Sequence, residues 1–202
     1  MERFYFEKPS LERKEEIKEY LDEFKKYGSD INGSGGLDKI YDGLTIEEAI
    51  ENCLKMEDKE YAESIGKVAG STYLMIRESD DRLVGTCNIR HYLNDYLRKV
   101  GGHIGYGVRP TERRKGYNKI QLYHALLEAQ KLGIDSVMLD CVDTNPGSEK
   151  TIQALGGVFD SEYYDESHGN LHNYWINVDE SIEKYKDIYG QLIIGKNSDL
   201  TR

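Results

Sequence analysis

The chain has 202 residues, 38% of them hydrophobic and 32% charged, with a formal net charge of −10. That length and mix suit a soluble globular protein with one adequate core, and the acidic balance argues against broad nucleic-acid binding, which needs a spread basic face. Cys53, Cys87 and Cys141 are odd in number and dispersed, which argues against a disulfide framework or a zinc ribbon. The first residues lack an apolar signal region and no apolar run is long enough to span a bilayer, so a cytoplasmic location is expected.

In chain order, residues 3–6 suit a first short strand. From Ser10, placed to cap, Leu11, Ile17, Tyr20, Leu21 and Phe24 share a helical face that Gly28 ends. The stretch SDINGSGGLDKIYDG is loop-like, and Thr45 with Glu48 three residues on makes a capping box for a second helix. STYLMIRES and RLVGTCNIRHYL read as strands around the turn Ser79-Asp80-Asp81, and Gly102 to Arg109 as the next strand. Lys115 to Leu132 reads as a long helix ending at Gly133, followed by a buried strand, IDSVMLDCV. Asn145 then caps a short helix with Pro146 at its first position, stopped by Gly156-Gly157. GVFDSEYYDE and LHNYWINV form two closing strands around a turn with His168 and Gly169. DESIEKYKDIYG forms a last helix before a loose tail. The order predicts an α/β sheet of mixed direction.

The most informative stretch is GGHIGYGVRPTERRKGYN, Gly101 to Asn118. Arg109, Arg113, Arg114, Lys115 and Lys119 gather there against one acid, Glu112, in an otherwise acidic chain. A strand, a basic turn with a glycine and then a helix present exposed N–H groups and a helix dipole to an anion, with a pyrophosphate as the leading candidate. VRPTERRKGYN resembles motif A of the GNAT acyl-CoA N-acyltransferases through Val108, Pro110, Arg113, Gly116 and Asn118. SVMLDCVDTNPGSEKTIQALGG resembles the following motif B through Asn145 and Ser148. The longer CNIRHYLNDYLRKVGGHIGYGVRP resembles one bacterial subgroup of predicted acetyltransferases, and the likeness covers Ser71 to Val178.

The resemblance implies a GNAT-like mixed, splayed β-sheet flanked by helices, with N-terminal helices. It implies a single domain over residues 1–180, helical over 1–70 with its core over 71–180, followed by a C-terminal helix and tail over 181–202. It also implies acetyl-CoA as co-substrate, no metal, and a small-molecule amine or a peptide N-terminus or lysine as acceptor. The partner expectations are no nucleic acid, no membrane, and a monomer or homodimer. The pyrophosphate would lie on N–H groups of Arg113, Arg114, Lys115, Gly116, Tyr117 and Asn118, and the pantetheine arm would pair along Ile104 to Val108. That strand and Met138–Asp140 would splay around the thioester, with an N–H near Tyr106 or Val108 on its carbonyl and with Asn145 and Ser148 along the arm. Two residues depart from the family pattern: Asn118 stands where Gly or Ala is preferred, and Ile152 falls where many relatives carry a proton-donating Tyr.

His103 is the candidate base, with hydrogen bonding within the sheet as the plainer role. Arg90, His91 and Asn94 are candidates for the acceptor pocket, with a hydrogen-bonded strand end as their alternative. His124 reads as packing, Cys141 as a small buried hydrophobe, and the acids of the first helix as a solvated face. His168 and His172 flank a hairpin turn with no second ligand pair. Tyr61, Tyr73, Tyr92, Tyr96, Tyr163, Tyr164 and Tyr174 suit the acceptor side without separating from one another. The main reading is an N-acetyltransferase, for which the acidic charge favours a cationic acceptor. A non-catalytic acyl-CoA sensor is the alternative, and a nucleotide-binding reading lacks both GxxxxGK(S/T) and GxGxxG.

Overall fold

The strands separate into two sheets in the computed structural model, which describes residues 1–196. β1 (Phe4–Glu7), β2 (Gly70–Arg77), β3 (Arg82–Arg90) and β4 (Ile104–Val108) form one sheet in that order. β5 (Ser136–Val142), β6 (Val158–Asp165) and β7 (Gly169–Asn177) form the other, in the order β5-β7-β6. Every ladder between these strands is antiparallel. The step from β4 to β5 passes through α4 (Tyr117–Lys131), a helical crossover of the kind that joins parallel neighbours. Among the described residues no ladder crosses the divide between β4 and β5, so both sheets are antiparallel throughout, and the splayed α/β fold is present.

The helices pack where their apolar faces demand. α1 (Lys14–Lys26) buries Ile17, Tyr20, Leu21 and Phe24 against Leu74, Ile76 and Leu83 of the first sheet. α2 (Ile46–Lys55) starts at the expected capping box, with Thr45 and Glu48 each accepting from the other's backbone N–H. α4 is buried nearly all round because the first sheet, α5 (Pro146–Ala154) and α6 (Val178–Tyr189) all pack on it. Its Leu122 and Leu126 join Val137, Leu139, Ile152 and Ile176 in the main core, where each such side chain contributes about 1.5–3 kcal/mol by burial.

Several expectations shift. The first strand begins one residue later, at Phe4, and the β4 strand is shorter than the predicted 102–109 because Gly102 takes a left-handed φ of 53°. Ser10 does not cap with its side chain. It opens a 3-10 turn over Leu11–Arg13, which takes Leu11 off the helical repeat and leaves it 57% exposed. Within the loop-like stretch, Leu37–Asp42 forms a second 3-10 turn that buries Leu37, and Lys59–Ser64 adds a short α3 not foreseen. The predicted loose tail falls largely outside the described residues.

Candidate active site

The turn between β4 and α4 is held from beneath by acids. The Glu112 side chain is 4% exposed and meets Arg77 Nη1 and Lys115 Nζ, each at 2.7 Å, and Arg82 Nη1 at 3.3 Å. Burial alone would raise its pKa, but Lys115 and Arg77 outweigh that and hold it below the usual carboxylate range. On the other side Glu23 of α1 accepts from Thr111 N–H at 2.9 Å and Thr111 Oγ1 at 2.8 Å, and pairs with buried Arg109 at 3.3 Å. Glu23 is thus one acid of the first helix that is not merely a solvated face. Of the five basic residues, Arg109 and Lys115 serve this scaffold. Arg113 donates to Val108 O at 3.2 Å and Ser29 Oγ at 3.1 Å, leaving Arg114 and Lys119 without an ion pair among the described residues.

Arg114 and Gly116 both adopt left-handed backbone, with φ of 65° and 84°. Among the described residues no side chain caps α4. Lys119 N–H donates to Gly116 O at 3.2 Å, and the N–H groups of Tyr117 and Asn118 remain open at the positive end of a 15-residue helix. A Cβ at Gly116 would meet nothing within 4 Å, so glycine is favoured there by conformation rather than by crowding. An anion placed against Arg113, Arg114, Lys115, Gly116, Tyr117 and Asn118 would meet this open end. Asn118 contributes a buried Oδ1 with no partner among the described residues.

The same turn leads into the divide between the sheets. Arg109 N–H donates to Val84 O and Arg90 N–H to His103 O, which fixes the odd residues of β4 toward β3. By strand alternation the N–H groups of Ile104, Tyr106 and Val108 point away from β3, toward the gap. Across that gap Asn145 caps α5 by accepting from Ser148 N–H at 3.1 Å, as the sequence predicts. Ser148 Oγ lies 3.0 Å from the Tyr106 hydroxyl, so one hydrogen bond ties β4 to the first turn of α5. Ile152, one turn further on, is fully buried in the core.

His103 closes one end of the gap. Its backbone N–H donates to Met138 O at 2.7 Å, and its ring Nδ1 accepts from Met138 N–H at 2.9 Å. The neutral ring therefore carries its proton on Nε2, and its one lone pair is spent on β5. Burial lowers its pKa to about 4, with Arg98 and Arg90 adding to the shift. His124, stacked on Phe6 with ring centroids 3.7 Å apart, is also pushed down to about 4 by burial. Both values lie below the ordinary 6.5, so the unfolded chain takes up these protons first. Their contribution to stability is full above pH 6.5 and is lost as the pH falls toward about 4, with a slope of at most ~1.4 kcal/mol per pH unit for each ring. Urea unfolding from pH 7 to 4.5 is expected to show this decline, with a shallower slope in a His103→Asn, His124→Phe variant. Equal slopes would contradict it.

The acceptor-side candidates hold the connection between β3 and β4. Arg90 Nη1 donates to Gly101 O and Gly102 O at 2.8 and 2.9 Å, Asn94 Oδ1 accepts from Leu97 N–H at 2.9 Å, and His91 Nε2 meets Ser71 Oγ at 3.0 Å. Asp140 Oδ2 accepts from Gly101 N–H at 2.7 Å and so anchors this connection to β5. Cys141 is buried, and burial pushes its thiol up to about 11, which leaves it protonated rather than nucleophilic. Among the described residues no group of three or more His, Cys, Asp or Glu converges as a metal site, and no helix is long and apolar enough to cross a membrane. Sequence reasoning missed Glu23, Arg77 and Asp140, whose partners lie far away in the chain.

A sequence profile described as the acetyltransferase (GNAT) family matches residues 37–156, more than half of the chain. The chain belongs to that family, and its fold and family make it an acyltransferase. Three solved structures illustrate the likeness. A chimera of the spermidine N-acetyltransferase SpeG from Vibrio cholerae and hSSAT has a TM-score of 0.59 at 13% identity, over 89% of this chain and 98% of that one. The ribosomal-protein alpha-N-acetyltransferase RimL in complex with coenzyme A has a TM-score of 0.60 at 13% identity, over 86% and 93%. The microcin self-immunity acetyltransferase MccE, in complex with acetyl-CoA and AMP, has a TM-score of 0.61 at 13% identity, over 87% and 92%. At such identity the likeness concerns the fold. No curated protein matches the chain by sequence.

Proposed function

We propose that this protein moves an acetyl group from acetyl-CoA to a primary amine by direct attack within a ternary complex. The observation that carries the reading is the continuity of the open N-terminus of α4 with the unpaired edge of β4 at the gap between the sheets. In this reading the turn N–H groups from Arg113 to Asn118 hold the pyrophosphate, helped by Arg114. The Tyr106 and Val108 N–H groups receive the pantetheine arm and polarise the thioester carbonyl, and Asn145 and Ser148 border the arm. Most of the acceleration comes from holding amine and thioester together, worth up to ~7–11 kcal/mol. His103 positions β4 against β5 rather than abstracting a proton, because its lone pair is already engaged. The amine then attacks in its neutral form, having lost its proton to solvent.

The acceptor reading follows charge. A net charge of −10 favours a cationic small amine or a basic peptide end, in line with relatives named for spermidine and for a ribosomal protein. Three buried free thiols suit a reducing, cytoplasmic setting. Thiol release from acetyl-CoA across a panel of polyamines, aminoglycosides, peptides and neutral amines tests the reading. Amine-dependent release, greatest for cationic amines, is expected, whereas tight CoA binding without turnover would identify an acyl-CoA sensor. Equal rates with neutral amines would remove the charge argument alone. Asn118→Ala is expected to change acetyl-CoA affinity only a few-fold, since its Oδ1 has no partner to lose; complete loss of binding would show that the side chain itself is required.

A further inference from the structure

Expulsion of a thiolate places negative charge on sulfur, and a hydrogen-bond donor aimed at that charge lowers the barrier. The tyrosine hydroxyls of the fold differ in what they have left to give. Tyr73 donates to Glu128, Tyr92 to Glu63 and Tyr174 to Glu149, each at 2.6–2.9 Å, and Tyr20 donates to Gly107 O at 3.1 Å. Their protons are committed to carboxylate or carbonyl acceptors that cannot donate in return. Tyr106 differs from these four, because its partner is the hydroxyl of Ser148, which can supply the shared proton itself. Tyr117 also keeps its proton, since it accepts from Arg77 Nη1 at 3.4 Å, but it lies at the start of α4 rather than on the edge of β4. With Ser148 as donor, the Tyr106 O–H is free to point elsewhere. It sits on the β4 strand whose edge faces the gap, opposite the capped first turn of α5.

We propose that the Tyr106 hydroxyl, oriented by Ser148, donates a hydrogen bond to the sulfur of the departing CoA and keeps its own proton throughout. The inference rests on the acetyltransferase reading and deepens it at the same site. The amine nitrogen bonds to the acetyl carbon, the carbon–sulfur bond breaks, and its electron pair goes to sulfur. The thiolate, of pKa ~8.5 by analogy with cysteine, takes a proton from water after leaving, and the new amide's excess proton goes to solvent. Burial raises the Tyr106 pKa above that of an ordinary tyrosine, which makes it a poor proton donor but a persistent hydrogen-bond donor. Cys141 and Asp140 of β5 face it electrostatically, and Ser148 offsets the rise only partially. Ile152, buried in apolar surroundings, offers no hydroxyl, and the neighbouring Thr151 hydroxyl is committed to Gly147 O at 2.8 Å.

The test compares Tyr106→Phe and Ser148→Ala with the wild type in thiol release, CoA affinity and thermal unfolding. Tyr106→Phe is expected to lower kcat roughly 100-fold, since one lost donor to developing charge costs at least that order, with CoA affinity nearly unchanged and Tm lower by only a few degrees. Ser148→Ala is expected to cost no more than about five-fold, as a helper that orders the donor. The kcat pH profile keeps its shape in Tyr106→Phe, because the hydroxyl does not titrate in the working range. Equal losses in the two variants would reduce the pair to a brace between β4 and α5, and a lost alkaline limb would make Tyr106 a proton donor. Either result overturns the proposal, as does unchanged kcat in Tyr106→Phe. A wild type that releases no thiol with any amine would instead overturn the acetyltransferase reading, and this inference with it.

Discussion

Glu112→Ala is expected to lower the free energy of unfolding by about 2–3 kcal/mol, because the largely buried Arg77 loses its inner carboxylate while Lys115 and Arg82, 48% and 40% exposed, are screened by water. The carboxylate is the shared partner of Arg77, Lys115 and Arg82, and the Arg77 side chain is itself only 12% exposed. Asp80 also pairs with Arg77 at 2.6 Å, but that carboxylate is much more exposed and does not replace Glu112 inside. The loss reaches function through position, since Glu112 immediately precedes the open turn. Acetyl-CoA affinity is expected to fall together with stability. Glu112→Gln, which keeps hydrogen-bonding capacity without charge, is expected to fall between the two. Denaturant unfolding measures the effect, and a change below about 1 kcal/mol would show that solvent screens the cluster as it does a surface pair.

Gly102→Ala is expected to cost a similar amount for a different reason. The residue has φ of 53°, and a Cβ there would lie 2.3 Å from Met138 O and 2.8 Å from Met138 C, both backbone atoms of β5. Left-handed strain and overpacking against backbone add to about 2–5 kcal/mol. Relief requires β4 and β5 to separate where His103 now joins them, so turnover is expected to fall at least 100-fold, on the scale of a misplaced reacting geometry. Gly116→Ala serves as the comparison. It carries the conformational cost, about 1–2 kcal/mol, without a clash, because a Cβ there meets open space. Similar unfolding midpoints for the two alanine variants would show that crowding at Met138 is unimportant.

The proposed cofactor side of this site could be read from the chain because it is local. The β4 strand, the basic turn, Gly116 and α4 are consecutive, and Asn145, Pro146 and Ser148 write their own helix start within four residues. The capping box at Thr45 and the hairpin at Ser79 to Asp81 were readable for the same reason. What escaped depends on contacts between distant segments. Nothing near Glu23 indicates that it will grip Thr111, 88 residues away, and nothing near His103 indicates that Met138 will occupy its lone pair. The sheet divides at β4 because β5 takes β7 as its ladder partner, a choice made by tertiary packing. The basic turn also looked freer than it is, since three of its five cations are engaged by Glu23, Glu112 or Val108. The acceptor side stayed unranked because seven scattered tyrosines differ only in the partners the fold gives them.

Initial rates of thiol release, with acetyl-CoA and a productive amine varied together, test the account most directly. Direct attack in a ternary complex predicts intersecting double-reciprocal lines and no acetylated enzyme when acetyl-CoA is supplied alone. Parallel lines with acetyl group retained on the protein would contradict direct attack, and saturable acetyl-CoA binding with no release for any amine would contradict the enzyme reading altogether.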